Sequence, residues 1–235
     1  MADTVALITG GAGNLGRAVT RVFLEGGARV AVPVHKTDHP GALDALQAEF
    51  GGRLLPFALD LTTERGANAA VEQVLDWAGR LDAVAHLVGG WRGGAKLADT
   101  PTDVWDRMMD LNLKSAWLIA RAAVPALVRG GGGSLVFVSS RAAREGRAGH
   151  PAYAVAKSAL VTLVEALAEE YRGEGVRANA VLPGAVDTED NPRAMPDADH
   201  SAWTPPEEIA RVIHFLASDA ARTVNGAAVP VYGRS

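Results

Sequence analysis

The chain contains no cysteine, so neither a disulfide framework nor thiolate chemistry is open to it. Its six histidines show no HExxH and no paired spacing, which leaves no ligand pattern for a metal. Charge of one sign is also lacking. The net −4 is spread along the chain, which argues against a nucleic-acid or anionic-membrane surface. No apolar run reaches the roughly 18 residues that span a bilayer. The opening "MADTVALITGG" has no basic segment leading into a long apolar stretch, so it is not a signal peptide. Together these absences predict a cytoplasmic protein with a small-molecule partner, not a nucleic acid or a membrane.

What is present is alternation. Short apolar runs ("TVALIT", "ARVAVPV", "RLLPFALD", "LDAVAHLVGG", "GGGGSLVFVSS", "VRANAVLPG", "AAVPVYG") alternate with segments of helical period, among them "GRAVTRVFLEGG" and "PAYAVAKSALVTLVEALAEEYRG". The second of these helices is expected to be strongly amphipathic. Pro33 suits the end of its strand or a locally unpaired position, because it has no N–H. The segment 102–129 reads as one long helix bent near Pro125. With 235 residues and no linker, the chain is expected to form one Rossmann-like α/β domain over 1–235. That domain is a doubly wound parallel sheet of about seven strands with helices on both faces. The irregular stretch 185–204 is expected to act as a substrate loop or lid.

"TGGAGNLG" at 9–16 stands between a strand and a helix, the setting of a phosphate-binding turn. Gly10 allows the tight turn, Gly13 and Gly16 allow close approach, and the helix N-terminus offers N–H groups to a pyrophosphate. A carboxylate after the second strand would bind the adenosine ribose hydroxyls and repel a 2′-phosphate. That strand ends Val34-His35-Lys36, with no acid, which favours NADP(H) over NAD(H). Asp38, two residues on, is the counterweight. Tyr153 and Lys157 are four apart, on one helical face, where a cation favours the phenolate and lowers the phenol pKa. A phenol so tuned can protonate a carbonyl oxygen. Ser140, at the C-terminal end of its strand, can hold the same oxygen.

In order and spacing these residues resemble the short-chain dehydrogenase/reductase family over essentially the whole chain. The matches are "TGGAGNLG", Asp60-Leu61, Leu111-Asn112, Ser139-Ser140, "YAVAK" at 153–157, "NAVLPGAVDT" at 179–188 and "VNGAAVPVYG" near the end. The resemblance implies strand order 3-2-1-4-5-6-7 and reversible hydride transfer between NAD(P)H and a carbonyl or alcohol. It implies Tyr153 as proton donor or acceptor, Lys157 on the nicotinamide ribose, and Ser140 polarising the carbonyl. Asn112 would hold a water in a proton relay. Around the cofactor it implies Gly10, Gly13, Asn14, Leu15, His35 and Lys36. It further implies Asp60 and Leu61 at adenine, Val88 and Gly89 through backbone, and Pro183, Gly184, Val186 and Thr188 beside the nicotinamide. Family members are commonly dimers or tetramers, which implies a homodimer or homotetramer built on the helices 102–128 and 151–172. Three positions depart from the family pattern. Gly13 makes the loop TGxxGxxG, His86-Leu87-Val88-Gly89 replaces NNAG, and Tyr232 replaces an aspartate.

"VGGWRGG" at 88–94 and the stretch 187–208 also resemble the dihydropteridine reductases of the same family. That likeness implies Trp91 along the substrate pocket, with Met195 and Trp203 folding over it. Trp91 offers a flat apolar face suited to an aromatic substrate; the alternative is that Trp91 and Trp203 pack their loops on the core. His150, three residues before Tyr153, is a candidate for the pocket wall. Arg141, Arg144 and Arg147 would either attract an acidic substrate or form a solvated loop. Asp103, Asp106 and Asp110 read as a hydrated face. The expected reaction is reduction of a ketone or aldehyde with an aromatic-tolerant pocket, with reduction of a cyclic C=N or pterin as the alternative. The remote alternative is a non-catalytic dinucleotide-binding regulator.

Overall fold

The computed structural model describes residues 1, 3–36, 38–146, 148–189, 191 and 198–234. The seven apolar runs become β1 (Val5–Thr9), β2 (Arg29–Val34), β3 (Leu54–Ala58), β4 (Ala83–His86), β5 (Gly133–Val138), β6 (Val176–Pro183) and β7 (Ala228–Val231). They form one parallel sheet in the order β3-β2-β1-β4-β5-β6-β7, the order the family resemblance implies. The chain leaves β1 toward β2 and β3, then returns to place β4 on the other side of β1. Ligands of such sheets bind at this reversal, outside the strand C-termini.

Side chains alternate across a strand, so each strand serves two cores. Val5 and Leu7 of β1 point into one apolar cluster, built with α3 (Glu64–Ala78), α5 (Ser115–Arg129) and α6 (Pro151–Glu170). Ala6 and Ile8 point into the other, built with α1 (Asn14–Glu25), α2 (Asp44–Phe50) and α7 (Pro206–Ala217). Burial on both faces explains why the strands read as near-continuous apolar runs. Local signals end the helices where expected. Thr63 caps α3 by accepting from Gly66 N–H, and Gly79 closes it in the left-handed conformation at φ 74°.

Pro33 sits where its missing donor costs least. Val34 accepts from Leu59 on the β3 side, so its neighbour Pro33 faces β1, whose ladder with β2 has already ended at Ala31.

Two helix expectations need correction. The segment 102–129 is not one continuous α-helix, and Pro125 does not end it. Helix α5 runs through that residue, which is exposed, so the carbonyl it leaves without a donor can face water. The interruption is instead a π-helical turn at Asp110–Lys114, between α4 (Thr102–Met109) and α5. Helix α6 is less one-sided than its sequence suggests. Ala152, Ala156, Leu160 and Val164 are buried, while Val155 is 44% exposed. Thr102–Arg129 and Pro151–Glu170 have the length and apolar character of membrane spans, yet both contribute buried residues to the core.

Candidate active site

The glycine loop and the end of β4 meet at the sheet's reversal, where Thr9 pairs with His86. Gly10 has φ 71°, and a Cβ there would lie 3.1 Å from the Leu87 carbonyl carbon and the Val88 nitrogen. A Cβ at Gly16 would lie 2.0 Å from the Gly10 oxygen, so only glycine lets α1 start this close to the turn. Gly13 is the extended N-cap of α1. No side chain caps that helix, and its first turn carries no acid. This is a cradle of backbone at a positive helix end, and it fits a pyrophosphate. Asn14, in place of a glycine, accepts from Arg17 Nη2 at 3.1 Å, which ties a guanidinium to the loop. Leu15 is half-buried beside it.

Beyond β2, His35 is half-buried and Lys36 exposed. The Asp38 carboxylate turns back to accept the His35 N–H at 2.7 Å. Asp60 accepts from Thr62 N–H and Oγ1 at 2.9 and 2.6 Å, and these bonds hold its carboxyl below the usual carboxylate range. Leu61 is a core side chain packed with α3 and α5.

The candidate catalytic residues come together at the end of β5. Ser140 leaves the strand extended, and its Oγ accepts from Ala142 N–H at 3.2 Å. Ser140 faces the Tyr153 hydroxyl and favours its phenolate form. Lys157 is 4% exposed, and its Nζ donates to the Val138 carbonyl at 2.9 Å and lies 5.8 Å from the Tyr153 ring centroid. Ser139 anchors the same helix by donating to the Lys157 carbonyl at 2.9 Å. Burial sets the electrostatics. It pulls the Lys157 ammonium down to about 8. It also pushes the Tyr153 phenol up, with Ser140 pulling the other way. The downward shift expected from the Tyr–Lys spacing is therefore not what this arrangement gives, because desolvation of the phenol outweighs the pull of Ser140.

Asn112 is fully buried in the π turn, and its amide is committed to protein. Nδ2 donates to Gly90 O at 2.9 Å and Met108 O at 3.1 Å, and Oδ1 accepts from Gly90 N–H at 3.1 Å. The side chain thus clamps the loop after β4. Gly89 fits between Asn112 and Lys157, since a Cβ there would lie 2.8 Å from Oδ1 and 3.2 Å from Nζ. Val88 packs on the core.

The loop 88–94 builds one wall. Gly94 N–H donates to Gly149 O at 2.6 Å, and Gly93 has no room for a Cβ between Gly149, His150 and Trp91. The rings of Trp91 and His150 meet edge-on at 6.2 Å, and those of His150 and Tyr153 at 6.5 Å. Trp91 is 61% exposed at the outer end of this row. Trp203 behaves differently. It is 8% exposed, its ring 4.3 Å from that of His200, so it packs its own loop and presents no open face. Pro183 ends β6, Gly184 N–H reaches Val231 O, Val186 bridges to Thr204, and Thr188 Oγ1 accepts from Asn191 N–H. Met195 and Arg147 lie outside the described residues. Arg141 is paired with Glu145 at 2.8 Å and lies over the Tyr232 ring, while Arg144 is exposed.

A wide groove of about 1270 Å³ opens at the opposite, N-terminal ends of the strands. Of its arginines, Arg80 and Arg172 are paired with Asp82 and Glu169, and the groove holds none of the groups above. Sequence reasoning passed over two features of the strand-end site. One is Arg17. The other is His86, a buried imidazole between Thr9 and Ser115 that was noted only as a departure from NNAG.

Comparison with known proteins agrees with this geometry. A family model described as enoyl-(acyl carrier protein) reductase matches residues 10–233. The 3-oxoacyl-[acyl-carrier-protein] reductase of Thermotoga maritima is 32% identical, over 97% of this chain and 96% of its own. The 2,5-dichloro-2,5-cyclohexadiene-1,4-diol dehydrogenase of Sphingobium indicum is 31% identical, over 99% and 96%. The structure of a short-chain type dehydrogenase/reductase from Mycobacterium ulcerans superposes with a TM-score of 0.93 at 31% identity, covering 99% of this chain and 90% of that one. The chain belongs to the short-chain dehydrogenase/reductase family, whose NAD(P)-dependent oxidoreductases act on CH–OH and C=O groups.

Proposed function

We propose that this protein is an NADPH-preferring reductase of ketone or aldehyde carbonyls carried on flat cyclic or aromatic substrates. The observation that carries the reading is the gathering of Ser140 and Tyr153 beside buried Lys157, with the Trp91–His150 row as the adjoining wall. A bound reduced nicotinamide supplies the hydride. Ser140 and Tyr153 hold the carbonyl oxygen, and Tyr153 gives it the proton as the C–O bond is reduced. Burial keeps the phenol protonated at neutral pH, which suits a donor. The phenolate left behind is stabilised by Ser140 and by the Lys157 ammonium. Lys157 Nζ has donors beyond the one given to Val138 O and would use them on the nicotinamide ribose. The backbone of Gly13, Asn14 and Leu15 would take the pyrophosphate, and His35 and Lys36 the 2′-phosphate.

Trp91 presents an apolar face at the mouth of the site, which favours a ring over a thin acyl chain. The Sphingobium relative is named for a cyclic diol and the Thermotoga relative for an acyl chain on a carrier protein, so both belong in the test. NADPH and NADH oxidation would be followed with cyclic ketones, aryl ketones, 3-oxoacyl thioesters, cyclic imines and quinonoid dihydropterins. Faster turnover of ring ketones with NADPH is expected. A tenfold preference for NADH would overturn the reading of His35 and Lys36, and activity confined to imines or pterins would overturn the carbonyl assignment.

The working form is a homodimer or homotetramer. Trp105, Trp117 and Val155 are 40%, 46% and 44% exposed on α4, α5 and α6, a large apolar area to leave in water. Light scattering that gives a monomer would refute this.

A further inference from the structure

The site described above depends on Asn112 but does not explain what aims it. We propose that His86, acting through Ser115, is a positioning residue that holds the π turn in shape and so fixes the Asn112 clamp on Gly90. In an α-helix the Leu111 carbonyl would accept the Ser115 N–H. Here that N–H goes to the Asp110 carbonyl instead, one residue further back. Leu111 O no longer receives that N–H, and a partly buried carbonyl gains from another donor. The Ser115 hydroxyl supplies it, donating to Leu111 O at 2.7 Å.

A hydroxyl has one proton, so Ser115 Oγ can only accept from His86 Nε2, which lies 3.2 Å away. Nε2 therefore carries the imidazole proton, and Nδ1 accepts from Thr9 Oγ1 at 2.8 Å. The result is a directed chain from the end of β1, through the end of β4, to the irregular turn of the helix. All of Thr9, His86, Asn112 and Ser115 are 1% exposed or less, so no solvent substitutes for a missing link. Burial, with Lys157 nearby, holds the imidazole down to about 3, so the donor order does not change across the working pH range. The Asn112 amide, three residues before Ser115, then meets both the N–H and the C=O of Gly90, next to Gly89 and Lys157.

A histidine that merely filled this space would be replaceable by any side chain of similar volume. A positioning histidine is replaceable only by one that donates from the Nε2 position. The test uses His86→Gln, whose amide N–H reaches toward Ser115, and His86→Asn, whose amide reaches only Thr9. Ser115→Ala removes the link itself. Hydrogen exchange of the Gly90 N–H, the donor to Asn112, is the readout that needs no substrate. Its protection should fall about tenfold in His86→Asn and Ser115→Ala and stay within twofold of wild type in His86→Gln. The kinetic arm rests on the reductase reading. There kcat should fall about tenfold in the same two variants with the NADPH Kd unchanged, and their double variant should be no worse than either alone. Wild-type protection at Gly90 in both variants would overturn the proposal. So would equal loss in His86→Gln and His86→Asn, or losses that multiply in the double variant. If His86→Asn does not fold, Ser115→Ala decides by the same readouts. Absence of carbonyl reduction by the wild-type protein would overturn the function reading alone, since exchange at Gly90 is measured without it.

Discussion

Replacing Lys157 with methionine should abolish turnover and make the unliganded protein more stable. Lys157 is 4% exposed, and its burial lowers the ammonium from 10.5 to about 8. Below pH 8 the folded protein holds a charge that the unfolded chain would hold in water. The difference between the two pKa values amounts to about 3 kcal/mol of destabilisation at pH 7. Methionine removes that cost and keeps the stem's apolar packing, but leaves the Val138 carbonyl without its 2.9 Å donor, a loss of about 1 kcal/mol. The net gain is about 2 kcal/mol, which raises Tm by about 4–8 °C in a chain of this size. The sign with pH is specific. Wild-type Lys157 gives up its proton in the folded state near pH 8 and in the unfolded state near 10.5. The advantage of Lys157→Met should thus be constant below pH 8, shrink between 8 and 10.5, and vanish or reverse above. Thermal melts by circular dichroism at pH 7, 9 and 10.5, without cofactor, measure it. A variant no more stable than wild type at pH 7, or an advantage that does not shrink by pH 10.5, would refute the reasoning.

Other outcomes follow from the same geometry. Tyr153→Phe should reduce kcat about a hundredfold or more while NADPH binding, followed by fluorescence titration, stays within a few-fold; wild-type turnover would sink the proton-donor role. Trp91→Ala should raise KM for ring ketones several-fold with no change in Tm, because the indole is 61% exposed, whereas Trp203→Ala should cost about 3 kcal/mol of stability. Equal effects of the two on KM would contradict the distinction. Lys36→Asp should move cofactor preference toward NADH by tenfold or more in kcat/KM, since it places a carboxylate where a 2′-phosphate would sit. Unchanged preference would show that His35 and Lys36 do not read that phosphate.

The parts of the fold set by periodicity were legible in the sequence. Seven apolar runs gave seven parallel strands, and Pro33 lay at the unpaired end of its ladder. The glycine loop was legible because Gly10 and Gly16 occupy positions where a Cβ would strike backbone. The gathering of Ser140, Tyr153 and Lys157 followed from spacing and strand order. What escaped has no local signature. A π turn is one residue of extra winding, and "DLNLK" at 110–114 has the composition of an ordinary helix. The role of His86 depends on hydroxyls 77 residues before it and 29 after it, pairings that only the folded sheet creates. Trp91 and Trp203 looked alike as loop tryptophans, and only tertiary packing separates an exposed ring from a buried one. The direction of the Tyr153 shift was misjudged because helical spacing reveals the cation but not the loss of solvent.

The π turn also has a consequence for the outside of the molecule. Trp105 and Trp117 are twelve positions apart, which on an unbroken α-helix would set them about a third of a turn from each other. The extra residue in the turn takes up one position, so their effective separation is eleven, close to three full turns of 3.6 residues. Both indoles thereby fall on one outer stripe, 40% and 46% exposed. A single change of phase thus aims Asn112 inward and aligns two tryptophans outward. Rewinding 110–114 as ordinary α-helix with every residue kept would rotate Trp117 out of that stripe by about 100°. The clamp on Gly90 and the apolar stripe would be lost together.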